Sequence, residues 1–111
     1  MSDEIKACLE DISHSIELIE SFIGNTKKFE DYRSNVMMKN AVERRIEIIG
    51  EALNGALKLD SGLPVSNARK IVDMRNKLIH GYDEVDDTVV WNVIMKHLPA
   101  LKSEVGKLLR G

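Results

Sequence analysis

The amino-acid sequence predicts an all-α protein, a four- to five-helix antiparallel bundle, and three observations carry that reading. Apolar residues recur at intervals of three and four along nearly the whole chain of 111 residues, the period of a helix with one buried face. Only 7 Gly and 2 Pro are present, too few for the many turns of a β-sandwich or barrel. The breaks that do occur are followed by residues able to cap a helix. The length suits one core, so residues 1–111 are expected to form a single domain. With 43% hydrophobic and 31% charged residues, the chain groups with soluble globular proteins and not with disordered ones.

The first helix follows from Ile5, Cys8, Leu9, Ile12, Ile16, Ile19, Phe22 and Ile23. Ser2 caps it, Asp3 and Glu4 suit its positive end, and Gly24-Asn25 stops it. Thr26 to Tyr32 has room for a helical turn or two. A second, long helix is expected from Ser34 or Asn35 to Leu59. Val42, Ile46, Ile49, Leu53 and Leu57 form one stripe on it; Met38, Ala41, Arg45, Ile48, Ala52 and Ala56 form another beside it. So broad an apolar arc calls for more than one neighbour, within the bundle or across a homodimer. Asp60-Ser61-Gly62-Leu63-Pro64 ends this helix. The third is capped by Ser66 or Asn67 and runs to His80 before Gly81. The fourth, capped by Asp86 or Asp87, carries Val89, Val90, Trp91, Val93, Ile94 and Leu98. Pro99 either kinks it or opens a fifth helix carrying Leu101, Val105 and Leu108.

Composition narrows the function. The formal net charge is −2, so nucleic-acid binding must come from a local cluster and not from the global field. Aromatics are 5%, too few for a base-stacking platform. The single cysteine, Cys8, excludes an internal disulfide and a cysteine-rich zinc site, and its place on the first apolar stripe reads as packing. No apolar run is long enough to span a membrane, and the acidic start lacks a signal-peptide pattern. The expected location is cytoplasmic, with no membrane partner.

The informative irregularity lies in the third helix. Ala68, Ile71, Val72, Arg75, Leu78 and Ile79 share one stripe, so Arg75 stands where a Leu is expected. A buried guanidinium is costly unless paired. Two readings stand: Arg75 snorkels or pairs with Glu47 or Glu51, or it faces a groove and binds an anion. Asn76 and His80 are one turn apart, so Asn76 can orient the imidazole. Arg75 and His80 are about 140° apart around an ideal helix. They converge if the Arg side chain curls round, if the helix end distorts, or if two subunits face each other.

Arg75-Asn76-Lys77-Leu78-Ile79-His80-Gly81-Tyr82 resembles the R-x4-H-x-Y motif of the HepT toxins, members of the HEPN superfamily of small all-helical ribonucleases. The stretch from Ala41 to Ala52 resembles that family's long second helix, and Val85-Asp86, Val90-Trp91 and Leu98-Pro99 resemble its C-terminal portion. The resemblance implies a toxin of a toxin–antitoxin system, a homodimeric endoribonuclease needing no metal or other cofactor. Arg75 and His80 would be catalytic, with Asn76 in support. Its substrate would be RNA and not DNA. It further implies a partner, a minimal nucleotidyltransferase antitoxin of the MntA type, which silences the toxin by transferring AMP to Tyr82. The alternative is a catalytically inactive HEPN module that dimerises and binds the nucleotidyltransferase. A generic helical adaptor would require the motif to be coincidence.

The residue types fit the chemistry. Cleaving RNA without a metal needs a base at the 2′-hydroxyl, an acid at the leaving 5′ oxygen and a cation for the phosphorane. Histidine titrates in the required range and arginine can hold a phosphate with two hydrogen bonds. One chain supplies one motif histidine; a symmetric pair supplies two, and a single-histidine route stands beside that one. Elsewhere the signals are weaker. His14 and His97 have no histidine or cysteine at metal-ligand spacing. Glu43, Glu47 and Glu51 are expected to pair with Arg44, Arg45 and Lys39. Asp83, Glu84, Asp86 and Asp87 read as capping and solvated charge that repels RNA. Met37, Met38, Met74 and Met95 are expected to fill the core. No glycine-rich phosphate loop is present.

Overall fold

The structure, a computed structural model, describes residues 1–81 and 85–111. It is all-α as the periodicity predicts, with no strand among the described residues. Helix α1 spans Asp3–Ile23, α2 Phe29–Arg33, α3 Val36–Leu59, α4 Ala68–His80, α5 Asp87–Asn92 and α6 Leu98–Arg110. A single π-helical turn, Val93–His97, joins α5 to α6.

The ends form for local reasons. Ser2 accepts a hydrogen bond from the Ile5 N–H, and Asn35 accepts one from the Met38 N–H. Each satisfies a backbone donor that the helix itself leaves free. Asp86, not Asp87, caps α5 by accepting from the Thr88 N–H, and this bonding to Thr88 holds its carboxyl below the usual aspartate range. The start of α4 departs from the expected side-chain cap. Asn67 takes the cap position with a left-handed φ of 61° and no side-chain bond, while the Ser66 N–H and hydroxyl both donate to Glu104 of α6.

Pro99 resolves into both expected alternatives at once. It sits in the first turn of α6, and the helix continues through it by slipping one residue. The Leu98 N–H bonds to the Val93 carbonyl, five residues back. Proline has no N–H to give the Met95 carbonyl and its ring crowds that oxygen, so an inserted residue relieves the clash.

The core is continuous. Leu9, Ile12, Ile16 and Ile19 of α1 meet Val42, Ile46, Ile49 and Leu53 of α3, all of them sealed from solvent. Helix α3 packs on α1 along one side and on α4 along another, as its wide apolar arc predicts. Its second stripe stays half-covered at Ala41, Arg45, Ile48 and Ala52. The methionines divide: Met74 is buried and Met38 half-buried, but Met37 is 84% exposed and Met95 is also exposed. Core filling is therefore wrong for those two. Met37 sits in the first turn of α3, on neither of its two apolar stripes. Ile79, on the predicted apolar stripe, is exposed as well, while its neighbour Leu78 packs against the core. No helix is long and apolar enough to cross a membrane among the described residues.

Candidate functional site

Helix α4 reaches His80 without distortion. Gly81 ends it in the left-handed conformation, φ 60°, with its N–H on the Lys77 carbonyl. A glycine adopts that conformation without steric cost, which fixes where the helix stops. A distorted helix end is thereby removed as a route for bringing Arg75 and His80 together. His80 stands exposed on the last turn, one helical turn from the half-buried Asn76.

Arg75 is half-buried between α4 and α3. Its Nη1 donates to the Asn76 Oδ1 at 2.9 Å, and its Nε is buried with no hydrogen-bond partner. No carboxylate among the described residues lies within ion-pairing distance of it. The pairing with Glu47 or Glu51, which one of the two readings offered, does not form: Glu47 is held by Arg44 at 3.2 Å, and Glu51 is exposed. Asn76 thus orients the guanidinium.

The space for Arg75 is made by Gly50 on α3. A side chain on Gly50 would fall within contact distance of the Arg75 Cβ, 2.8 Å from its Cγ and 3.3 Å from the Ile71 carbonyl oxygen. A lone glycine inside a helical pattern is the sequence signal for such a close approach, and the apolar periodicity around it hid that role.

Beside the end of α4 lies a cleft of about 410 Å³, lined by Lys39, Asn40, Glu43, Lys77, Gly81 and Asp87. Lys39 binds Asp87 at 2.7 Å, so Lys39 and Asp87 meet across the bundle in place of the local Lys39–glutamate pairing. Burial, then the Asp87 charge, raises the Glu43 carboxyl above its ordinary range, with Lys39 opposing. Under the cleft, Tyr32 is fully buried against Trp91, ring centroids 5.2 Å apart, and its hydroxyl has no partner. Burial pushes that phenol strongly upward. Tyr82, Asp83 and Glu84 lie outside the described residues. No group of three or more potential metal ligands gathers among the described residues. His14 is exposed on α1 and Cys8 is half-buried facing α3 near Gly55.

The comparisons with known proteins converge. Residues 12–108 match the family model described as ribonuclease HepT-like. A protein of Thermococcus cleftensis named "Probable ribonuclease HepT" is 40% identical over 107 residues, 93% of this chain and 94% of that one. A "Putative RNase" of Methanocaldococcus jannaschii is 34% identical over 108 residues, 96% of this chain and 88% of that one. A longer protein of the same organism, named "Gamma-glutamylcyclotransferase and putative RNase", is 36% identical over 110 residues, which make up 49% of its length. No solved structure matches the chain. The family model spans most of the helices, including the Gly50–Arg75 contact and the end of α4, and the chain belongs to the HepT-like ribonuclease family.

Proposed function

We propose that this protein is the toxin of a toxin–antitoxin pair, a metal-independent endoribonuclease that works as a single-domain homodimer. Arg75 and His80 of both subunits line one cleft, with Asn76 orienting Arg75. The observation that supports this most is the state of Arg75. A guanidinium set half-buried, with no carboxylate partner among the described residues and a buried free Nε, is poorly compensated on its own. A phosphate supplies the missing counter-charge and accepts two parallel hydrogen bonds from it. The half-covered second stripe of α3 supplies an apolar surface for a twofold partner, and a twofold axis there presents each motif to the other.

The chemistry then needs only these groups. One His80 takes the proton from the ribose 2′-hydroxyl as its oxygen attacks phosphorus. The other gives a proton to the departing 5′ oxygen, and Arg75 holds the phosphorane charge. The products are a 2′,3′-cyclic phosphate and a free 5′-hydroxyl. Silencing would come from a minimal nucleotidyltransferase partner that transfers AMP from ATP to the Tyr82 hydroxyl and releases pyrophosphate. The added phosphate would compete for Arg75 and block the RNA.

The test is RNA cleavage by partner-free protein in EDTA, with the ends of the products identified and the mass in solution measured by light scattering. Cyclic phosphate ends from a dimer are expected. A monomer at micromolar concentration removes the shared cleft, and dimeric protein that leaves RNA intact would point to a binding module without catalysis.

A further inference from the structure

Charge is sorted unevenly along this acidic chain. Helix α1 carries Asp3, Glu4, Glu10, Asp11, Glu17 and Glu20 against Lys6 alone. Helix α4 carries Arg69, Lys70, Arg75 and Lys77 against Asp73 alone. The local cluster that an overall negative chain needs in order to meet a polyanion is therefore on α4.

Part of that cluster faces a groove of about 320 Å³ between α4 and the π-turn, lined by Lys70, Asp73, Lys77, Asn92 and His97 among others. Lys70 and Lys77 are seven residues apart, two helical turns, and so stand on one side of α4 about 10 Å apart along its axis. His80 follows Lys77 at the next turn, and Lys77 also lines the cleft beside Gly81. The row leads from the groove to the candidate site. Neither lysine has a carboxylate in ion-pairing distance among the described residues, and Asp73 is instead 3.8 Å from Arg69.

The opposite wall depends on the π-turn. In an uninterrupted α-helix Asn92 and His97 would stand about 140° apart. The inserted residue brings the Asn92 Nδ2 to 3.5 Å from the His97 Nε2, and both residues line the groove. Desolvation, then Lys70 and Lys96, hold the His97 imidazole below its ordinary range. Lys70 and Lys96 act on His97 in the same direction as its burial, and among the lining residues Asp73 is the carboxylate set against Lys70 and Lys77.

We propose that this groove is a phosphate track for the RNA strand, with Lys70 and Lys77 as counter-charges and Asn92 and His97 as hydrogen-bonding groups, feeding the strand to Arg75 and His80. The inference rests on the ribonuclease reading and adds a second contact region outside the motif. RNA phosphates fit better than a small anion because the cations form a row and not a pocket.

The experiment uses the full chain carrying His80→Ala, a uridine oligonucleotide as probe, and anisotropy across a salt series. Lys70→Gln with Lys77→Gln should weaken binding at least tenfold at low salt. It should also flatten the slope of log affinity against log salt by about 1.4, two contacts at about 0.7 each on single strands. Lys6→Gln with Lys102→Gln, an equal loss of charge on α1 and α6, should leave both quantities near their starting values. In parallel, the His97 ring resonances should report a rise in its pKa on adding the oligonucleotide, as phosphate offsets the neighbouring lysines. Unchanged affinity in the α4 variant, equal losses in both variants, or an unmoved His97 would overturn the track. The ribonuclease reading survives each of these outcomes if the unmutated chain still cleaves RNA; absence of both binding and cleavage sinks the two together.

Discussion

Gly50 of α3 and the Arg75 stem of α4 adjoin with no room for a methyl group between them: a Cβ on Gly50 would lie 2.8 Å from the Arg75 Cγ, and nearer still to its Cβ. The Arg75 Cβ is fixed to the backbone of α4, so a side chain at position 50 cannot be accommodated by rotating Arg75. The two helices would have to part. The same contact that lets α3 and α4 pack closely therefore sets where the guanidinium stands.

Gly50→Ala separates the two effects of a helix glycine. Helix propensity alone would stabilise by about 1 kcal/mol, and overpacking costs about 1–3 kcal/mol. Overpacking should win, because the contact falls on a Cβ that cannot rotate away, with a net loss of up to about 2 kcal/mol in urea unfolding and a fall in RNA cleavage as Arg75 shifts. Gly55→Ala on the same helix, where the nearest atom is the Cys8 Sγ at 3.8 Å, should be neutral or stabilising. A Gly50→Ala protein with unchanged stability and cleavage would show that the helices part freely.

Arg75→Ala should keep the fold and lose cleavage by about 10²–10³-fold, the usual cost of removing a group that stabilises developing charge. Stability should change little, because losing the Asn76 hydrogen bond and the stem packed on Gly50 is offset by removing a half-buried charge with no carboxylate partner among the described residues. Arg75→Lys should stay poor, since a point charge cannot reproduce the planar fork. His80→Ala should cost about 10²–10⁴-fold, the usual contribution of a general acid or base. Circular dichroism together with rates on a defined RNA checks each variant; full activity in either alanine protein refutes the assignment.

Tyr82→Phe should retain cleavage and escape silencing when the nucleotidyltransferase partner is co-expressed. Peptide mass spectrometry should place AMP on Tyr82 in the unmutated chain and find none in the variant. AMP on Tyr32 would overturn the choice, and the burial of Tyr32 argues against it.

Glu43→Gln should stabilise the protein at pH 7. Burial and Asp87 raise this carboxyl above 4.5 in the folded state. The stability it contributes is full below 4.5, where the carboxyl is protonated in both states, and is lost as pH rises through the higher folded value. Glutamine removes that loss. The gain in melting temperature should be largest near neutrality and shrink as pH falls towards 4.5; a gain that is equal at both pH values would point to packing instead of ionisation.

The helices were legible in the sequence because their causes are local. Ser2, Asn35 and Asp86 cap within three residues of themselves, Gly24 and Gly81 stop what precedes them, and the apolar period fixed which side of α1 and α3 turns inward. The same period singled out Arg75 as out of place, and the motif around it carried the family.

What only the tertiary structure decided are the relations between helices. The sequence offered Glu47 and Glu51 as partners for Arg75, and the structure gives it Asn76; a pattern along one helix cannot say which neighbour fills the gap between two of them. Lys39 reaches Asp87, 48 positions away in the numbering, and no local pattern encodes that meeting. Ile79 carries an apolar side chain to a place the bundle does not cover, since a stripe states which face is apolar and not how much of it a partner covers. Gly50 reads in isolation as a weak point in a helix; with α4 beside it, it is the space into which Arg75 fits.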